Sequence, residues 1–148
     1  MISMFALPWK TVARPAGDRV LVFSSRFDGR GIRSARAMLR SGMGIRRGAL
    51  QAPGCLGASL CARPLRGKYH TLSAWQDEQS LMAFARSAPH RDGIRALRAA
   101  GPVDGVLISW WEDAAGWRPR WDEALRRVAA ATPGPYTGPA APEHEPVA

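Results

Sequence analysis

The chain has 148 residues and a formal charge of +9, from 21 basic and 12 acidic residues. Apolar residues make up 46% and charged residues 22%, a balance that excludes disorder of the whole chain and fits one domain. No stretch approaches the roughly 18 consecutive apolar residues of a membrane-spanning helix, and Met1–Lys10 is too short an apolar stretch for a secretory leader, so neither a membrane span nor a signal peptide is expected.

Residues 5–13 are mixed in character and end at the turn Pro15-Ala16-Gly17-Asp18. Arg19–Phe27 is β-branched and aromatic and reads as a strand. The first segment is expected to pair with it as a hairpin arm. Residues 32–50 read as a helix, with Ile32, Ala35, Leu39 and Met43 at spacings of three and four. Gly42 and Gly44 weaken that helix, and Pro53-Gly54 stops it.

Cys55–Ala62 alternates, with Leu56, Ala58, Leu60 and Ala62 on one side and small residues on the other. After the turn Pro64–Gly67, Lys68–Trp75 is the next strand, with Tyr69, Thr71, Ser73 and Trp75 on one face and His70, Leu72 and Ala74 on the other. The short connection implies an antiparallel hairpin. Asp77–Arg86 reads as a helix with acids in its first turn, and a second helix runs from near His90 to Ala100. Val106–Glu112 is a strand with Trp110 and Trp111 on opposite faces. Arg118–Ala130 is an amphipathic helix, and 132–148 holds five prolines without apolar periodicity.

The order is strand, helix, strand, strand, helix, strand. This is an α+β, ferredoxin-like split βαβ pattern with an antiparallel sheet. The expected organisation is an N-terminal arm (1–18), the α/β domain (19–112), a C-terminal helical extension (113–131) and a disordered Pro-rich tail (132–148). Helices on one face leave the other face bare, so a homodimer packed sheet to sheet is expected.

Nineteen of the 21 bases are arginine, and seven fall between Arg26 and Arg47 against Asp28 alone. Phe27 is the one aromatic residue among them, which favours a solvated helix face, or a site for an anionic small molecule, over a nucleic-acid groove. Cys55 and Cys61 lie six residues apart on one predicted strand, about 20 Å at ~3.3 Å per residue, too far for a disulfide. Free thiols imply a reducing, cytoplasmic setting. Glycine-rich phosphate loops and the G-x-S-x-G elbow are absent from the sequence.

The run Tyr69–Phe84, followed by Ser87-Ala88-Pro89-His90-Arg91 and preceded by Pro53-Gly54-Cys55-Leu56-Gly57-Ala58, resembles the antibiotic-biosynthesis-monooxygenase-like group of dimeric α/β-barrel proteins. The shared pattern is a strand ending in Trp, an acidic helix start, a Leu-x-x-Phe pair and Ser-x-x-His. The resemblance covers about residues 19–112. It implies a small oxygenase acting on a hydrophobic, planar secondary-metabolite substrate, either without a cofactor or with haem, as in the spheroidene-monooxygenase type. A non-catalytic ligand- or haem-binding protein and a cyclase or isomerase remain open on the same scaffold.

Three residues are the candidates for a site. His90 shares the apolar stripe of Ile94 and Leu97 at a helix start. It reads as a buried structural histidine, as an acid/base group or as a haem ligand, with Cys55 or Cys61 as a thiolate haem ligand the lesser alternative. Trp75 offers a flat aromatic wall to a planar ligand. His70 sits in mid-strand, facing an interface or a cavity. Two histidines without a clustered third ligand do not suggest zinc or non-haem iron.

Overall fold

The structure is a computed structural model that describes residues 5–136 and 143–144. Its strands are β1 (Phe5–Thr11), β2 (Arg19–Asp28), β3 (Cys55–Arg63), β4 (Lys68–Trp75), β5 (Asp104–Asp113), β6 (Gly134–Pro135) and β7 (Glu143–His144). Its helices are α1 (Gly31–Gln51), α2 (Glu78–Ala85), α3 (Ala88–Ala99) and α4 (Trp121–Ala130). Among the described residues the strands form one sheet in the order β1-β3-β4-β2-β5-β6, and β7 also pairs with β5. All pairings are antiparallel except β5 with β7. The central order β3-β4-β2-β5 is that of the split βαβ, so the α+β ferredoxin-like fold expected from the sequence is the one observed.

Alternation along the strands divides the core in two. Leu21, Ala58 and Trp75 face α1 and α2, where they meet Ala49, Leu81 and Phe84. Val20, Val22, Leu72, Ala74, Ile108 and Trp110 face the other way. That second face is not bare. Ala124 and Val128 of α4 are fully buried on it, and Trp9, Trp117 and Trp121 pack around them. The chain itself covers the surface that was expected to need a second copy, so the premise for a sheet-to-sheet homodimer does not hold for this face.

Three other expectations are corrected. The first segment pairs with β3, not β2. The reason is local: Trp9 lies over Gly57, where a Cβ would come within 2.5 Å of the indole. A bulge between Cys55 and Gly57 shifts the register of β3, which turns Cys55 toward the helices and Leu56 toward α4. The Pro-rich tail is ordered where it is described. Gly134–Pro135 adds to the β5 edge, and the Tyr136 amide donates to the Val103 carbonyl at 2.9 Å.

Gly42 and Gly44 do not end α1, which runs 21 residues. Tertiary packing holds it, since a Cβ on Gly42 would sit in contact with Leu60. Helices α1 and α3 cross closely, because a Cβ on Gly48 would meet Pro89 at 2.8 Å and one on Gly93 would meet Ile45 at 2.7 Å. Helix α2 starts where the Asp77 carboxylate accepts from the Ser80 amide at 2.7 Å. Among the described residues no helix is long and apolar enough to cross a membrane.

Truncation after Ala131 removes β6 and Tyr136, whose residue is only 7% exposed. Burial of a large side chain contributes about 1.5–3 kcal/mol, so the truncated chain should melt on the order of 5–10 °C lower. A scanning-calorimetry trace with unchanged Tm would show that the segment adds nothing to the core.

Candidate functional site

The middle of the helix-facing sheet surface carries small side chains. Ser25, Thr71, Ser73, Ala58 and Ala62 stand there on β2, β4 and β3, with Leu60 between the two alanines. They leave a gap beneath α1 that is closed by Met38, Ser41 and Ile45 from α1 and by Ile94 and Leu97 from α3. The result is a mainly apolar cavity of about 110 Å³ that opens to solvent.

Trp75 and Phe84 form one end of it. The Trp75 ring is fully buried, stacks on Phe84 at 5.4 Å with the planes 26° apart, and donates from Nε1 to Ser73 Oγ at 2.9 Å. The indole N–H is therefore satisfied inside the protein, which leaves the ring available as an apolar wall. His90 meets the Phe84 ring edge-on at 5.4 Å. Its position follows from the close approach of Gly48 to Pro89, which presses the start of α3 onto α1.

His90 Nδ1 is buried and has no hydrogen-bond partner. Burial lowers the pKa of the ring, and a hydrogen bond with the Ala85 backbone works in the opposite direction. A neutral imidazole that donates one N–H to a carbonyl leaves its other nitrogen as an acceptor. In His90 the nitrogen without a partner is Nδ1. No carboxylate orients the ring; Asp92 turns to Arg95 at 3.6 Å.

Five buried side-chain atoms lack a partner among the described residues: Arg46 Nε, Tyr69 OH, His70 Nδ1, His90 Nδ1 and Tyr136 OH. All but His70 point their side chains to this cavity's side of the sheet; the backbone of His70 borders it while the ring turns away. Arg46, on α1, donates from Nη2 to the Pro8 carbonyl at 2.8 Å while its Nε stays free. Sequence periodicity placed Arg46 with the solvated arginines. The structure keeps Arg33, Arg36, Arg40 and Arg47 exposed but turns Arg46 inward. Tyr69 was legible as a face-mate of Trp75. Tyr136 was hidden in the Pro-rich segment.

The ring of His70 is separated from this group. It alternates with Tyr69 and Thr71 and pairs across the sheet with Arg26 and Cys61, so its ring lies on the opposite face. Cys55 and Cys61 are both free and buried, and burial pushes the Cys55 thiol up to about 11, which makes it an unreactive core group.

For haem, His90 would be the residue to hold the iron, through its partnerless Nδ1, with the Phe84 ring edge-on against it at 5.4 Å. Among the described residues, no group of three or more His, Cys, Asp or Glu side chains is placed to hold a metal ion.

Residues 44–96 match the family model described as antibiotic biosynthesis monooxygenase. The match runs from the second half of α1 through most of α3 and contains Trp75, Phe84 and His90. No curated protein matches the chain. Among solved structures the chain is similar to a point mutant of SnoaB, a cofactor-independent oxygenase from Streptomyces nogalater, at 18% identity and a TM-score of 0.50, covering 62% of this chain and 91% of that one. It is also similar to a proposed monooxygenase from Fusobacterium nucleatum subsp. nucleatum, at 12% identity and a TM-score of 0.54, covering 66% of this chain and 45% of that one. These structures share the ferredoxin-like fold, and the family match bears out the resemblance read from the sequence.

His70 gives the fold a pH signature. Burial, then Arg26 and Arg63, with Lys68 adding and Asp28 opposing, lowers it from 6.5 to about 4. The unfolded chain takes up a proton near pH 6.5 that the folded one refuses until about pH 4. Stability present above pH 6.5 is therefore lost on acidification through that window, by on the order of 2–3 kcal/mol. Urea midpoints at pH 7.5 and 4.5 should show this loss, and His70→Gln should remove most of it. Equal pH dependence in the variant would assign the loss to other groups.

Proposed function

We propose that this protein is a small monooxygenase-type enzyme that oxidises a hydrophobic, planar aromatic substrate with His90 as proton acceptor. The observation that carries this is the orphaned His90 Nδ1, which stands beside the Trp75–Phe84 wall of an apolar cavity. A ring of the substrate lies against that wall by offset stacking, and its further rings extend toward the mouth. The family match supports an oxygenase of secondary metabolism. The likeness to SnoaB, a cofactor-independent oxygenase, supports a route without a cofactor.

In this reading His90, neutral because burial lowers its pKa, removes a proton from an acidic C–H of the substrate. Arg46, the cation on the cavity wall, stabilises the anion that forms. That electron-rich anion reduces molecular oxygen. The balance is R₂CH₂ + O₂ → R₂C=O + H₂O: one oxygen atom enters the carbon, and the other leaves as water with the two hydrogens the carbon loses. The electrons come from the substrate, so no flavin or iron is required.

The test uses anthrone, an aromatic ketone with an acidic methylene, and an oxygen electrode. The wild-type protein should consume oxygen, and His90→Gln should lower kcat about 100-fold or more with little change in KM. A non-catalytic carrier would bind the compound without consuming oxygen. A cyclase or isomerase would be active only on other substrates and without oxygen. Full activity in His90→Gln would remove the histidine from the chemistry.

A further inference from the structure

The cavity has a second polar end that the chemistry at His90 does not use. Tyr69 and Tyr136 are 6% and 7% exposed, and neither hydroxyl has a hydrogen-bond partner. Both flank Phe27. Tyr69 pairs across the sheet with Phe27, and the Tyr136 ring meets Phe27 edge-on at 5.1 Å. Both side chains line the cavity.

A buried hydroxyl without a partner is costly, because it gives up its bonds to water and gains none. A phenylalanine at either position would keep the ring packing and avoid that cost. Two such hydroxyls at the same end of one cavity point to something that enters and accepts from them. Burial raises both phenols, Tyr136 to about 12 with Arg98 opposing. Each is therefore protonated at neutral pH and serves as a donor.

We infer that Tyr69 and Tyr136 form a donor subsite that receives a carbonyl oxygen of the substrate at the end of the cavity away from His90. The inference rests on the aromatic-substrate reading above and assigns the donors that would orient its oxygen. Tyr69 and Trp75 are the second and last residues of β4, about 20 Å apart along the strand at ~3.3 Å per residue. A molecule that meets both ends is therefore extended, with several fused rings or a long substituent. Half of the subsite comes from the C-terminal segment, so selectivity for the oxygen depends on a part of the chain outside the split βαβ core.

The test compares two small probes that differ by one carbonyl, 1-tetralone and tetralin, by calorimetric titration of the full chain. Wild type should bind tetralone about tenfold or more tightly over tetralin, from two new hydrogen bonds. Tyr69→Phe and Tyr136→Phe should each reduce that preference, and the double variant should abolish it, while tetralin affinity stays the same. The Tm of the variants should be unchanged or higher, because the hydroxyls bond to nothing in the free protein.

Equal binding of the two probes by wild type, as when water alone occupies the subsite, would overturn the inference and leave the apolar-cavity reading standing. So would a preference that survives in the double variant, or a Tm loss of several degrees in either single variant, which would make the hydroxyls structural. Failure of both probes to bind wild type would overturn the aromatic-substrate reading and this inference together.

Discussion

The site exists because of a mismatch in side-chain size on one face of the sheet. At the centre stand Ser25, Thr71, Ser73 and Ala58, too small to reach the helices above them, while Leu60 beside them reaches α1 at Gly42. At one end Trp75, Leu81 and Phe84 fill the same layer, and at the other Met38 and Tyr69 do so. The large residues act as spacers, so α1 cannot settle onto the small ones. The glycine contacts between α1 and α3 fix the helices against each other, so the pair cannot tilt to close the gap. Interiors normally pack to crystal-like density, and a cavity left this way reduces stability in proportion to its volume.

The second sheet face makes that arrangement rigid. Glu112 accepts from the indoles of Trp110 and Trp117, both at 3.0 Å, and Arg120 lies 3.6 Å from its other oxygen. The Arg127 guanidinium stacks over Trp110 at 4.6 Å. Trp121 donates to Ser59 Oγ at 3.1 Å, and that hydroxyl donates to the Leu7 carbonyl at 2.8 Å. These bonds tie β1, β3, β5 and α4 into one layer under the cavity floor. A floor held from beneath keeps its side chains in place when the helical side opens, which a site built on positioned groups requires.

The alternation of β3 and β4 and the stripes of the helices made the ferredoxin-like order legible, because those patterns are set by local period and burial. The cover on the second face was not legible. The helix around Trp121, Leu125 and Val128 showed an apolar stripe, but periodicity does not say which surface a stripe will meet. The Cys55–Gly57 bulge has no periodic signature either, since it breaks the period from which faces are read. His90 and Trp75 could be named because their spacing placed them on an apolar stripe and at a strand end. Arg46 escaped because the other arginines between Arg26 and Arg47 are on the polar side or in strands, and only packing against β1 turns this one inward. Tyr136 escaped because prolines mask a short edge strand that binds through two residues.

The polar atoms around the cavity also bear on what fills it. An ordered water needs about two to four polar partners. Here the orphaned groups are spread out: one nitrogen at the His90 end, one on Arg46, and two hydroxyls near Phe27, with apolar walls between them. Water placed at any of these positions gains few bonds and gives up bulk ones. A single rigid molecule with apolar rings and oxygen acceptors at its rim meets the walls and the donors together. It also displaces waters that the cavity holds poorly, which favours binding. The same pattern disfavours a purely aliphatic ligand, which would fill the volume and leave Arg46 Nε and both hydroxyls buried without partners. Under the proposal made above, the spread of these unsatisfied groups, more than the shape of the cavity, is what the oxygen atoms of the substrate would meet.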